Sequence, residues 1–279
     1  MEDGKVMSLV GHLTELRKRL LWSILALLVG MGVAWNYVDV LLTFIERPLT
    51  GHTYLVEVKA TLYEAMKHRF PALYERYQRG EPAAGLRQED RKLNYTAPLE
   101  PFFVQIKLSM LAGLVLALPV MLYQLWLFVA PGLTRRERRL VVPFITVGTV
   151  SFLVGALFFL LLIWPVIINF SLSYESAGLR SWFSLTAYVN FCLRLLLIFG
   201  LVFELPVVSM VLARLGLVTG RFLARQRKFA LLASAIVAAF HADLITMFVI
   251  WVPLYLMYEV SIWMARLVGR PPAREGVAA

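Results

Sequence analysis

Long runs of apolar residues constrain the fold of this chain more than any other feature of its sequence. A helix needs about 20 such residues to cross roughly 30 Å of hydrocarbon, because each residue adds about 1.5 Å. Six segments are candidates, in chain order 20–40, 106–128, 141–170, 185–213, 229–242 and 244–264. Because 59% of the 279 residues are hydrophobic and only 16% are charged, we expect an all-α polytopic membrane protein, a single domain over 1–279 with six transmembrane helices.

The fifth of these segments is short. Its 14 positions (229 to 242), most of them apolar, would extend about 21 Å as a helix, well below the thickness of the hydrocarbon core. Either the bilayer thins around this helix and neighbouring helices support it, or the helix is buried inside the protein and never meets lipid over its full length.

The basic residues define an orientation, because they cluster at one predicted side of the membrane. They are, in chain order, Lys5, Arg17, Lys18, Arg19, Arg135, Arg136, Arg138, Arg139, Arg214, Arg221, Arg225, Arg227, Lys228, Arg266, Arg270 and Arg274. The positive-inside rule assigns this side to the cytoplasm, so both termini are predicted to be cytoplasmic. The net charge of +10 is thereby explained by topology, and we expect no nucleic-acid partner.

A polar segment, residues 41–100, separates the first two apolar runs on the outer side. Within it, six apolar residues recur at helical spacing: Val58, Leu62, Met66, Phe70, Leu73 and Tyr77. Pro71 fits the first turn of a second helix. The pattern predicts a largely helical extracytoplasmic cap, or alternatively an element that binds a partner.

Motifs of catalysis and of cofactor binding are missing from the sequence. No G-x-x-x-x-G-K-[ST], H-E-x-x-H or G-x-S-x-G pattern occurs, so we expect no enzyme activity and no cofactor. The pair His241 and Asp243 is too weak a pattern to predict a metal. The single cysteine, Cys192, lies in an apolar run and is predicted to be a small core residue.

Glu204 is the one charge within "LLLIFGLVFELPVVSMVL", residues 195–212. A carboxylate near the bilayer centre costs on the order of 3 kcal/mol on insertion scales, so Glu204 should face protein or water. It could dock a polar group of a partner helix, next to the Val202 carbonyl that Pro206 leaves without a donor, or it could be a protonated packing residue. Arg194 lies ten residues earlier, about 15 Å along the helix, and should instead extend towards the outer interface.

Three motifs together carry a resemblance to a known family. They are "HLTELRKRL" (12–20), "FVAPGLTRRERRLVVP" (128–143) and "FGLVFELP" (199–206). With six apolar segments and both ends inside, this order resembles TatC, the multispanning receptor of twin-arginine protein export, over nearly the whole chain. The resemblance implies a membrane receptor of the bacterial cytoplasmic (inner) membrane.

The resemblance also assigns candidate residues. It implies that Glu15, Glu137 and Phe128 bind the paired arginines of signal peptides, and carboxylates are the groups that guanidinium forks pair with best. It implies that Glu204 contacts a partner helix. Asp243 in "FHADLIT" matches an acidic residue in the family's last outer turn, although this chain lacks the prolines of that turn.

The resemblance implies partners as well: single-span TatA/TatB-type proteins, further copies of the chain, and the lipid bilayer. The alternative is a small proton-coupled secondary transporter, in which Glu204, Arg194 and Asp243 would form a relay. Such transporters tend to have internal repeats. The sequence has no clear similarity between segments 1–3 and 4–6, which favours the receptor.

Overall fold

A computed structural model describes residues 9–49, 92–129, 141–172, 181–239 and 244–268. These parts are helical except for turns and one isolated bridge between Asn94 and Ser184. The helices are α1 (Leu9–Ala34), α2 (Val38–Glu46), α3 (Glu100–Val129), α4 (Val141–Phe158), α5 (Trp164–Leu172), α6 (Leu185–Arg214), α7 (Gly220–Arg225), α8 (Arg227–Ala239) and α9 (Leu244–Val268). The all-α prediction is confirmed for the described residues.

Five helical segments of the described chain are long and apolar enough to cross a membrane: Gly11–Glu46, Glu100–Phe128, Val141–Leu172, Leu185–Arg214 and Thr246–Val268. They coincide with the first, second, third, fourth and sixth predicted spans. The fifth predicted span corresponds to α8, whose 13 residues extend only about 20 Å. Residues 240–243 lie outside the described parts. A crossing by the fifth segment, and with it the total of six crossings, therefore stays a prediction.

The first span starts earlier and ends later than predicted. Because the motif residues at 12–20 are mostly good helix formers, α1 already includes Arg17, Lys18 and Arg19, which were expected to precede the helix. A 3₁₀ turn at Trp35–Tyr37 joins α1 to α2. Positions 41–49 of the predicted outer segment are apolar enough to enter the core, where Ile45 and Leu49 are buried. The predicted cap itself lies outside the described residues.

Local polar contacts fix where individual helices begin and end. At the start of α3, the Thr96 hydroxyl donates to Glu100 Oε1 at 2.8 Å, and a carboxylate in a first turn also suits the helix dipole. The end of α6 is a Schellman motif: Gly216 has a φ of 74°, and the Leu217 N–H bonds the Leu212 carbonyl at 3.0 Å. Glycine tolerates this left-handed conformation without a steric penalty.

Helices α1 and α3 pack backbone to backbone. A Cβ placed on Gly30 would lie 2.6 Å from the carbonyl oxygen of Gly113, and one on Gly113 would collide with the Met31 backbone. Small residues are the usual means by which membrane helices approach this closely. The two glycines therefore set the separation of α1 and α3.

Helices α4 and α6 interlock through aromatic rings and glycines. Phe203 packs on Gly155, and Phe152 packs on Gly200, so each ring occupies the space that a side chain would fill. The Ser151 hydroxyl donates to the Phe203 carbonyl at 2.6 Å. Hydroxyl-to-carbonyl bonds of this kind join helices in the membrane, where no water competes for the acceptor.

The Ile45 carbonyl connects α2 to the helices around it. It accepts a hydrogen bond from Trp164 Nε1 at 3.0 Å and another from the Tyr188 hydroxyl at 2.9 Å, and the two rings meet edge to face at 4.9 Å. One turn along α6 from Tyr188, Cys192 is fully buried. This confirms the prediction that Cys192 is a core residue.

We expect Gly30→Ala to destabilise the protein and Gly32→Ala to leave it intact. A methyl at Gly30 meets the Gly113 carbonyl, whereas nothing lies within 4 Å of a Cβ at Gly32. Overpacking costs about 1–3 kcal/mol, but alanine otherwise favours a helix by up to about 1 kcal/mol over glycine. Thermal unfolding of the detergent-purified protein should give a lower Tm for Gly30→Ala only. Equal Tm values for the two variants would contradict close packing here.

Candidate functional site

Glu15 lies on α1 with most of its side chain out of solvent, 16% exposed. Its Oε1 accepts a hydrogen bond from Arg19 Nη2 at 3.1 Å, one turn further along the helix. Its Oε2 is buried and has no hydrogen-bond partner among the described residues. One carboxylate oxygen is therefore held in place by Arg19, and the other can still accept a hydrogen bond.

Arg19 links Glu15 to α3. Its Nη1 donates to Gln124 Oε1 at 3.4 Å, while its Nε is buried without a partner among the described residues. Sequence reasoning does not find these contacts as part of the site. The spacing of four residues is a signal for the contact between Glu15 and Arg19. No local pattern predicts the contact between Arg19 and Gln124, because these residues are 105 positions apart.

Phe128 is close to this cluster, near the end of α3. Its ring stacks on His12 of α1, with centroids 4.4 Å apart and planes at 24°. His12, Glu15 and Arg19 are three and four residues apart, so they share one face of α1. That face meets Gln124 and Phe128, which are also four residues apart. The structure thus places Glu15 and Phe128 near each other at the contact between α1 and α3.

The other predicted binding residues cannot be placed relative to this site. Glu137 and Asp243 lie outside the described residues. Within the described part, the cluster combines a partly open carboxylate with an aromatic ring. Such a combination suits a guanidinium, which bonds the carboxylate through its N–H fork and stacks its plane on a ring. No group of three or more metal-ligating side chains is found among the described residues.

Glu204 lies in the middle of α6 and is 9% exposed. A Cβ placed on Gly148 would lie 3.2 Å from its Oε2 and 2.9 Å from Leu122 Cδ1. The carboxyl group therefore faces α4 and α3, and the missing side chain at Gly148 provides its space. This confirms the prediction that Glu204 faces protein instead of lipid.

The Glu204 carboxyl group has no partner inside the described part of the chain. Both of its oxygens are buried and neither accepts or donates a hydrogen bond there. A buried polar group without a partner costs about 1–3 kcal/mol. As predicted, Arg194 does not pair with it, and Arg194 is exposed. The described helices around Glu204 thus give its carboxyl group no hydrogen-bond partner.

Sequence reasoning misses a second carboxylate within an apolar helix. Glu259 of α9 forms an ion pair with Arg227, at 2.7 Å between Oε2 and Nη2, and it accepts a bond from the Tyr255 hydroxyl at 2.8 Å. Unlike Glu204, it is fully partnered within the chain. The spacing of four residues is a sequence signal for the contact between Tyr255 and Glu259, whereas the ion pair with Arg227 has no local signal.

Comparison with known proteins gives consistent matches over most of the chain. A family model described as Sec-independent protein translocase protein (TatC) matches residues 11–253. A protein of that name from Carboxydothermus hydrogenoformans is 32% identical over 271 residues, covering 96% of each chain. The one from Desulforapulum autotrophicum is 34% identical over 261 residues, 93% of this chain and 84% of the relative. For Aquifex aeolicus the identity is 32% over 267 residues, with coverages of 95% and 97%.

Two solved structures share the arrangement of helices. A crystal structure of the twin arginine translocase receptor TatC superposes with a TM-score of 0.70 at 30% identity, covering 93% of this chain and all of the other. A second crystal structure of that receptor, in the detergent DDM, gives a TM-score of 0.71 at 29% identity, with coverages of 91% and 99%.

Proposed function

This chain belongs to the TatC family of Sec-independent protein translocase proteins, and from that membership we propose that it is the receptor for the paired arginines of twin-arginine signal peptides. The observation that carries the proposal is the Glu15 carboxylate, with one oxygen held by Arg19 and the other buried and open. A buried carboxylate oxygen without a donor favours a cation that can enter and bond it.

Recognition would use the groups in distinct roles. One signal arginine donates to Glu15 Oε2, while Arg19 keeps Oε1 and so fixes the orientation of the carboxylate. The Phe128 ring, held by its stack on His12, offers a surface to the guanidinium plane. Glu137, which the family resemblance assigns to the same site, takes the second arginine. Lysine has neither a planar fork nor a stacking surface, so it fits poorly.

In this role the protein would catalyse no reaction itself. The relatives are named as translocase components, and the sequence has no nucleotide-binding motif, so the energy for transport would come from the proton gradient. The receptor would assemble with further copies of itself and with TatA/TatB-type proteins to pass folded proteins across. A small proton-coupled transporter, the alternative, has no support from these relatives.

Topology follows from the distribution of charge. The chain would cross the bacterial cytoplasmic membrane six times, with α8 as the short fifth crossing and both termini inside. The Glu15 cluster would then face the cytoplasm, where signal peptides first meet the membrane. The polar segment 41–100, beyond the buried Ile45 and Leu49, would carry the outer cap.

Glu204 would dock a partner helix from within the membrane. Its carboxyl group is buried and lacks a hydrogen-bond partner in the described part of the chain, so a polar side chain of a single-span partner can provide what the neighbouring helices do not. Such a bond would be worth about 1–2 kcal/mol.

Signal binding should depend on both carboxylates. Glu15→Ala and Glu137→Ala should each weaken binding by about 2–5 kcal/mol if the pair is desolvated, and by less if it is open to water. Crosslinking to a twin-arginine peptide should fall in both variants, and a lysine–lysine peptide should crosslink poorly even to the unmodified protein. Asp39→Ala, an exposed carboxylate beyond the other end of α1, is the control. Normal crosslinking in both glutamate variants would refute this site.

Cysteine accessibility should report six crossings. In a Cys192→Ala background, a cysteine at Glu75 should react with a membrane-impermeant reagent from outside. Cysteines at Thr134 and Thr219 should react only from the cytoplasm, because they lie in the basic loops. Outside labelling at Thr134 would reverse the orientation and remove the signal site from the cytoplasmic face.

Glu204 substitutions should separate partner docking from signal binding. Glu204→Ala should retain signal crosslinking but lose crosslinks between α6 and the single-span partner, and export should fail. Glu204→Gln, which keeps a hydrogen-bonding side chain, should also bind the signal. Leu205→Ala, an exposed neighbour, controls for side-chain size. Unchanged partner crosslinks in a less stable Glu204→Ala protein would make Glu204 a packing residue.

A further inference from the structure

An apolar groove of about 820 Å³ lies between α6 and α8, with α9 as its floor. Leu201 on its wall is 62% exposed, whereas Leu254 on its floor is 4% exposed. Three polar side chains line it: Arg194, Ser234 and Tyr258. The Ser234 and Tyr258 hydroxyls both donate to backbone carbonyls, so within the lining the guanidinium of Arg194 is the group that can recognise a ligand by charge.

No carboxylate of the described chain neutralises Arg194. The ion pairs found among the described residues do not include it. Glu204, on the same helix, is ten residues away, which is about 15 Å along the axis, and its oxygens accept no hydrogen bond. A cation within an apolar span is costly unless it finds an anion or reaches water. Arg194 therefore favours an anionic group at the groove.

The depth of Arg194 follows from how α6 and α9 pack. The Ser209 hydroxyl donates to the Ser261 carbonyl at 3.2 Å, which sets these two residues level. Gly220, just beyond the end of α6, packs on Arg266 near the end of α9, so the helices run parallel. Arg194 is fifteen residues before Ser209 and is therefore about level with position 246 of α9.

The end of α8 lies at the same depth. Arg227 pairs with Glu259, and Trp251 bonds to the α8 backbone further along, so α8 and α9 are antiparallel. Ala239, twelve residues after Arg227, is then about level with position 247. The described part of α8 is about 20 Å long against a hydrocarbon core of about 30 Å, so a bilayer that thins around it would bring lipid headgroups towards Arg194.

We propose that this groove binds one anionic phospholipid, with its phosphate on the Arg194 guanidinium and an acyl chain along the apolar walls. A partner helix would lay only one face into the groove, whereas the exposed guanidinium of Arg194 favours a ligand that brings its own anionic group. An acyl chain is thin enough to enter it. Binding here is independent of signal recognition, and only the leaflet, the outer one, depends on the proposed topology.

Native mass spectrometry of the full chain in detergent tests this with added phosphatidylglycerol and phosphatidylcholine. The unmodified protein should bind phosphatidylglycerol about tenfold more tightly, because its phosphate is not offset by the quaternary ammonium that phosphatidylcholine carries. Arg194→Gln should lose that preference. Arg221→Gln, an exposed arginine on α7 outside the groove, should keep it.

A second pair of variants tests the acyl chain. Ala233→Phe fills the groove and should weaken binding of both lipids severalfold, whereas Ile236→Phe, outside the groove lining on the same helix, should not. Thermal unfolding checks that each variant is folded, and this pair decides the outcome if Arg194→Gln does not fold.

Four results would overturn the proposal. The first is an unchanged lipid preference in folded Arg194→Gln, and the second is unchanged binding in Ala233→Phe. The third is displacement of the lipid by inorganic phosphate alone, which would mean that the groove contributes nothing. A crosslink from a cysteine at Ala233 to a copurified single-span protein, with no lipid retained, would also overturn it and assign the groove to a helix.

Discussion

The backbone contact between Gly30 and Gly113 is the constraint on which the cytoplasmic cluster depends. The two helices are antiparallel there, Glu15 lies fifteen residues before Gly30, and Phe128 lies fifteen residues after Gly113. Both side chains are therefore about 22 Å from the crossing point, on the same side of it. A wider crossing would separate the carboxylate from the aromatic ring although neither residue had changed. The recognition cluster is thus an outcome of packing deep in the membrane.

Much of the fold was predictable because the bilayer permits few solutions. Apolar length alone identifies five of the helices, since an unsatisfied backbone in hydrocarbon leaves helices as the local option. The start of α1 was not predictable from apolar length, because the residues of its first turns are polar yet helix-forming. The 3₁₀ turn at Trp35–Tyr37 and the burial of Ile45 also escape such a pattern. The Trp35 ring packs on Phe102 of α3, and the Ile45 carbonyl accepts hydrogen bonds from Trp164 of α5 and Tyr188 of α6.

The candidate site, like the fold, was predictable from the sequence only in part. Glu15, Phe128 and Glu204 were found from motifs and from the cost of charge in an apolar helix. Gln124 was not, because its role comes from a contact distant in sequence. Glu259 also lies in an apolar helix but is paired within the chain, and sequence alone does not distinguish a satisfied carboxylate from an unsatisfied one.

The two hydrogen bonds to the Ile45 carbonyl have a mechanical consequence. They fasten the end of the α1–α2 unit to α5 and α6, while near the opposite end of α1 Arg19 and His12 contact Gln124 and Phe128 of α3. The α1–α2 unit is therefore anchored by hydrogen bonds near one end, and Glu15 lies near its other end. Tyr188, one of the two donors at this anchor, belongs to α6, so the α1–α2 unit is joined directly to the helix that holds Glu204.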